Sequence, residues 1–237
     1  MSKFFFIHGA GGTGAVFAAQ MDAFPDSIAT TLPGHGTPGA PASIAEFADA
    51  VDAELEQRGL SNVILCGSSM GGAIALELAI RCHPERSRGT GRVRAVVLIG
   101  SGAKLRVAPA VFENLERDFE AGTRWLAPMF FAQPTQLLVD EAVRLMLEVG
   151  QAQMLRDFRA CNEFDATERL ADLWVPLLAL TGEHDVMTPP KFAQFLADRV
   201  PGAQARILPG AGHLAMVEEP VQTNEALRAF VQRIDSY

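Results

Sequence analysis

The sequence predicts an α/β protein, a doubly wound and mostly parallel sheet of about six strands with helices on both faces. Three observations predict it. Short apolar runs rich in β-branched residues alternate with helical patterns. Most of those runs lack strict apolar–polar alternation, as strands buried on both faces do. Of the 237 residues, 49% are apolar and 20% charged, enough to bury a large core without staples.

The elements follow in chain order. The first strand is read at residues 4–7, opening into a glycine-rich run, and the second around Ile28. A helix starts at Ser43 with Glu46 three residues on, a capping box, and carries the stripe Ile44, Phe47, Val51 and Leu55. The third strand is read at 63–66, a helix runs through 76–80, and His83 beside Pro84 suits that helix's C-terminal end. A polar surface loop at 87–92 leads to the fourth strand at 93–99. The pattern then breaks. From about Val107 to Leu170 no strand is predicted, while Phe112, Leu115, Phe119, Leu137, Leu138, Leu145 and Leu147 recur at helical spacing among Pro109, Pro128 and Pro134. The expectation is a core over 1–106 and 171–237 with a helical cap or lid inserted at 107–170. Strands at 175–181 and 205–208 and helices at 192–196 and 221–234 complete the chain.

Composition excludes several classes. The apolar fraction and 15 Phe exclude disorder. Cys66, Cys82 and Cys161 are few, scattered and odd in number, which excludes a disulfide scaffold and suits a reducing compartment. Twenty basic against 28 acidic residues leave a net charge of −8, so nucleic acid and anionic lipid are poor partners. No run reaches the roughly 18 apolar residues of a membrane span, and the opening MSKFFFIHG is too short for a secretory signal. A soluble, cytoplasmic protein is expected. No histidine pair shows metal spacing and no C-x-x-C occurs, so neither metal nor cofactor is predicted.

Two glycine clusters carry the chemistry. Gly9, Gly11 and Gly14 match the spacing G-x-G-x-x-G after a strand and before an expected helix, but the acid a dinucleotide site wants about twenty residues on is missing from Thr30, Thr31, Leu32, Pro33, Gly34. The alternatives are a loop whose N–H groups line a pocket and a plain tight turn. Gly67-Ser68-Ser69-Met70-Gly71 is G-x-S-x-G between a strand and a helix, the nucleophile elbow, and its spacing selects Ser69 over Ser68. A serine nucleophile needs a base and an orienting acid. His213 lies in the loop Pro209-Gly210-Ala211-Gly212-His213 after the last strand. Asp185 lies in Thr181-Gly182-Glu183-His184-Asp185 after the fifth, with Glu183 the alternative acid. In a parallel sheet both loops leave the carboxyl edge, where the elbow also lies.

These residues, with Pro33-Gly34-His35-Gly36, Pro189, Glu218 and Pro220, make the chain resemble an α/β-hydrolase over nearly its whole length. The resemblance implies a triad of Ser69, Asp185 and His213, and an oxyanion hole from the backbone N–H groups of Met70 and Ala10. It also implies that two strands usual before the His-Gly strand are absent here. The expected activity is hydrolysis of a small-molecule carboxylic ester through an acyl-enzyme. The same fold also hosts C–C hydrolases, lyases, perhydrolases and slow-turnover receptors, and the oxidoreductase reading of the first glycine cluster is the remaining alternative. His8 and His35 read as loop-ordering residues, His184 as structural and Cys66 as core. Trp125, Leu126, Met129, Phe130 and Phe131 are open to a core role or to an apolar pocket wall over Ser69, with Trp125, Met129 and Phe130 the candidates for substrate contact.

Overall fold

The structure, a computed structural model, describes residues 3–82 and 91–236; His83 and most of the 87–92 loop lie outside them. Six strands, β1 (Lys3–Ile7), β2 (Ile28–Thr30), β3 (Val63–Ser68), β4 (Val93–Ile99), β5 (Leu177–Gly182) and β6 (Gln204–Leu208), form one parallel sheet in the order β2-β1-β3-β4-β5-β6. The missing alternation has a direct cause, because both faces are covered. Phe5, Ile7, Val63, Leu65, Val96 and Leu98 point into one apolar layer, and Phe4, Phe6, Ile64, Cys66, Val97 and Ile99 into the other.

Helices α2 (Ile44–Gln57), α3 (Met70–Arg81) and α8 (Lys191–Arg199) contribute to the first layer; α1 (Ala18–Ala23), α9 (Ala215–Glu218) and α10 (Pro220–Asp235) pack on the second. The capping box at α2 is present with a shifted return bond. Glu46 N–H donates to Ser43 Oγ (3.2 Å), but the Glu46 carboxylate accepts from Ala42 N–H (2.8 Å) instead of from Ser43. The helix expected after the first glycine cluster is α1, six residues entered through a short helical turn at Gly14–Phe17, whereas α9, of four residues, is absent from the sequence reading because it is too short to display a 3.6-residue period. Strand β5 starts at Leu177, later than 175, since Pro176 has no N–H to give the ladder.

Between β4 and β5 the chain forms α4 (Pro109–Arg117), α5 (Phe119–Leu126), α6 (Gln136–Val149) and α7 (Gln151–Glu163). Asp118 and Thr135 cap α5 and α6 with their side-chain oxygens. These helices build their own apolar cluster around Leu115, Leu126, Phe130, Val143, Met146 and Phe158, against which Met187, Leu214 and Val217 from the sheet side also pack. The incoming and outgoing chains are stitched where Lys104 and Asp165 pair, by a backbone bridge and by a Nζ–Oδ2 contact of 2.6 Å.

The strand order places the site. The chain steps from β1 to β2 on one side and then returns to β3 on the other, so β1 and β3 flank the point where the order reverses. Loops leaving the carboxyl ends of such strands diverge and leave a crevice. Gly9 and Ala10 follow β1, and Ser69 follows β3.

Candidate active site

Ser69 joins β3 to α3 with φ 52° and ψ −117°, a conformation costly for a residue with a Cβ. Its neighbours explain how the turn is held. A Cβ on Gly67 would lie 2.0 Å from the Gly71 carbonyl oxygen, and one on Gly71 would lie 2.1 Å from that of Ile7. Ser69 N–H donates to Ile99 O (2.9 Å), while its carbonyl accepts from Gly72 N–H (2.9 Å) and Ser101 Oγ (2.8 Å). The side chain is left to the crevice at the N-terminus of α3, where unpaired N–H groups favour negative charge. Among the described residues Ser69 Oγ has no hydrogen-bond partner, and it lines the same two cavities as His213.

Asp185 is fully bonded. Its Oδ1 accepts from the N–H groups of Met187 (2.9 Å) and Thr188 (2.8 Å), and its Oδ2 from Thr188 Oγ1 (2.7 Å) and His213 Nδ1 (2.9 Å). Burial opposes its charge, but His213 beside it and the bonds from His213 and Thr188 outweigh that and hold the carboxyl below the usual range. Gly100, at φ 54°, forms the floor: a Cβ there would lie 2.9 Å from His213 O and 3.2 Å from Asp185 Oδ2. Glu218 braces the histidine loop, accepting from Gly212 N–H (2.7 Å) and, from the helical layer, Ala132 N–H (2.7 Å). Glu183 is exposed and accepts from Gly210 N–H (3.3 Å); it lines neither cavity, and nor does exposed His184.

The loop after β1 is ordered by His8. Leu32 N–H donates to His8 Nε2 (2.9 Å), so the proton sits on Nδ1, which donates to Gly9 O (2.8 Å). Burial, then the nearby His35, push the His8 pKa from 6.5 down to about 3, so the ring is neutral. Gly12 N–H also donates to Gly9 O (3.2 Å). In a trans peptide the next N–H, that of Ala10, points the opposite way. Among the described residues neither Ala10 N–H nor Met70 N–H has a protein acceptor.

Two cavities meet at Ser69 and His213. One, about 70 Å³, lies between the glycine loop and Phe130, Ala142, Leu145, Met146 and Met216. The other, about 490 Å³, is walled by Val111, Trp125, Leu126, Met129 and Phe192, with Arg106 also in its lining. Phe130 approaches the His213 ring at 6.2 Å between centroids. The aromatic run therefore serves both purposes: Leu126, Phe130 and Phe131 are buried in the helical cluster, while Trp125, Met129 and Phe130 also wall the cavities.

Two residues escaped the sequence reading. Thr188 bonds both members of the acid–imidazole pair; its signal is a hydroxyl three residues after an aspartate, a common local turn. Asp157 lies on α7 beside the apolar positions Met154, Phe158 and Cys161, so a carboxylate on a buried face was its signal.

A sheet of this order, an elbow after its third strand and an acid–imidazole pair on the loops after the fifth and sixth define a hydrolase of α/β type. The profile of the Alpha/beta hydrolase family matches residues 4–226, and the chain belongs to that family. It is 29% identical to the pimeloyl-acyl-carrier protein methyl ester esterase of Yersinia enterocolitica over 216 residues, 85% of this chain and 81% of the relative. To 3-oxoadipate enol-lactonase 2 of Acinetobacter baylyi it is 28% identical over 215 residues, 85% and 77% of the two chains. A solved structure described as a thermophilic esterase superposes with a TM-score of 0.85 at 30% identity, covering 99% of this chain and 91% of that one. Among the described residues no helix is long and apolar enough to cross a membrane, and no group of three or more His, Cys, Asp or Glu is placed to hold a metal ion.

Proposed function

We propose that the protein is a serine hydrolase of carboxylic esters, with Ser69 as nucleophile, His213 as base, Asp185 as orienting acid, and Met70 and Ala10 N–H as the oxyanion hole. The observation that carries this reading is the strained Ser69 opening into cavities shared with an imidazole whose Nδ1 is held by a buried carboxylate. With Nδ1 protonated and bonded to Asp185, Nε2 is the nitrogen available to take the serine proton. Serine–imidazole bonds are often long in free enzymes and tighten with substrate bound.

Ser69 Oγ attacks the ester carbonyl as its proton passes to His213, and the resulting oxyanion is held by the two free amides. Each such donor is typically worth about 3–4 kcal/mol. The C–O bond then breaks, His213 protonates the departing alcohol, and water activated by His213 releases the acid from the acyl-serine. The helices at 107–170 act as a cap, and their apolar walls favour uncharged arms, one short in the narrow cavity and one longer in the roomier cavity. The esterase and lactonase names of the relatives support this chemistry, since a lactone is an ester whose alcohol stays attached. The expected site of action is the cytoplasm.

A panel of nitrophenyl esters of rising acyl length, run beside a fluorophosphonate that labels activated serines, tests the proposal. Ser69→Ala should abolish labelling and lower kcat by at least ~10³ with the fold intact. Near-full turnover by that variant would remove Ser69 from the mechanism. Labelling without ester turnover would favour a C–C hydrolase or a receptor.

A further inference from the structure

Asp157 is fully buried, yet it belongs to the helical layer and bonds to a loop of the sheet domain 146 positions away. Its Oδ2 accepts from Gly11 N–H (3.1 Å) and lies 2.8 Å from His35 Nε2, while its Oδ1 accepts from Gln153 Nε2 (2.8 Å). His35 Nδ1 in turn faces Pro33 O (3.2 Å). The same face of α7 is fitted onto two glycine turns. A Cβ on Gly11 (φ 67°) would lie 2.2 Å from Met154 Sδ, and one on Gly34 (φ 89°) 2.3 Å from Gln153 Oε1.

Packing alone does not call for a carboxylate here. A buried ionic group generally stabilises no better than an apolar side chain of similar volume, and leaving one half of such a pair behind is strongly destabilising. What a carboxylate adds is direction. Gly11, whose N–H it grips, directly follows Ala10, whose N–H is free. On the other flank His8 Nδ1–H and Gly12 N–H grip Gly9 O. Ala10 is therefore clamped on both sides, between glycines that have no Cβ to restrict them on their own.

We propose that Asp157 is a positioning residue that, with His8, aims the Ala10 N–H at the oxyanion, so that the helical layer sets the transition-state geometry of the sheet domain. The proposal rests on the serine-hydrolase reading above. Because Asp157 touches the loop and not the substrate, its loss should act on kcat and spare KM.

The test uses the full chain carrying Asp157→Ala or Asp157→Asn, with folding followed by circular dichroism and competent serines counted by fluorophosphonate titration. Asp157→Ala should lower kcat per titrated serine by ~10- to 100-fold, with KM within about twofold of wild type. It should weaken a trifluoromethyl ketone, whose tetrahedral adduct needs the same donors, by a similar factor. In Asp157→Asn one neutral oxygen must serve both Gly11 N–H and His35, so an intermediate loss is expected; this variant decides the matter if the alanine form does not fold. An unchanged kcat per titrated serine in Asp157→Asn, whatever the melting temperature, overturns the proposal. A wild-type protein that takes no label and turns over no ester would overturn the serine reading instead.

Discussion

Protonation of His8 offers a quantitative check on the loop it holds. Its Nε2 accepts a backbone N–H and has no room for a proton of its own, and burial followed by His35 holds its pKa at about 3 against an ordinary 6.5. The unfolded chain therefore binds a proton that the folded chain refuses. Stability from this residue is complete above pH 6.5 and is lost progressively as pH falls from 6.5 toward about 3. Each pH unit inside that window is worth about 1.4 kcal/mol, so going from about pH 7 to about pH 5 should remove about 2 kcal/mol through His8 alone. Urea unfolding at the two pH values measures the loss. Repeating it with His8→Asn, which keeps a donor for Gly9 O but cannot titrate, isolates the residue. The variant should be less stable at neutral pH yet lose about 2 kcal/mol less on acidification. If wild type and variant lose the same amount, His8 is not the buried neutral ring described here.

Two further substitutions probe the elbow and the acid. Gly67→Ala puts a methyl 2.0 Å from the Gly71 carbonyl oxygen, which is backbone and cannot rotate away. It should destabilise by at least about 3 kcal/mol by thermal or urea unfolding and greatly slow fluorophosphonate labelling; a tolerated alanine would show that the elbow is looser than drawn. Thr188→Val keeps the shape but removes one donor to Asp185 Oδ2, leaving His213 as that oxygen's only partner among the described residues. A kcat loss of about tenfold is expected, measured on the best ester of the panel, and no loss would make Thr188 a bystander.

The sheet was legible because its strands are short and most are apolar on both faces, β6 with its exposed Arg206 and Ile207 being the exception. All six fall where the pattern predicts, with ends displaced by one or two residues, as at Pro176. The residues around Ser69 were legible because the elbow's closeness admits only glycine at 67 and 71, which leaves a visible spacing. Contacts made across the fold left no such trace. Asp157 meets Gly11 and His35 from far along the chain, and nothing local to Arg156-Asp157-Phe158 says which loop that carboxylate will face. Thr188 likewise gains its meaning only once the loops after β5 and β6 touch. Helix α9 was hidden by its length, not by its chemistry.

The placement of the two tryptophans gives the protein a built-in optical probe. Trp125 sits half-exposed in the wall of the larger cavity, while Trp174 lies before β5, at the opposite edge of the sheet, in a separate groove with Val175 and Pro176. Only one tyrosine, Tyr237, accompanies them. With Trp174 replaced by Phe, intrinsic emission would come from a single indole in the wall of the larger cavity, and occupancy of the crevice could be followed in real time without attaching a dye.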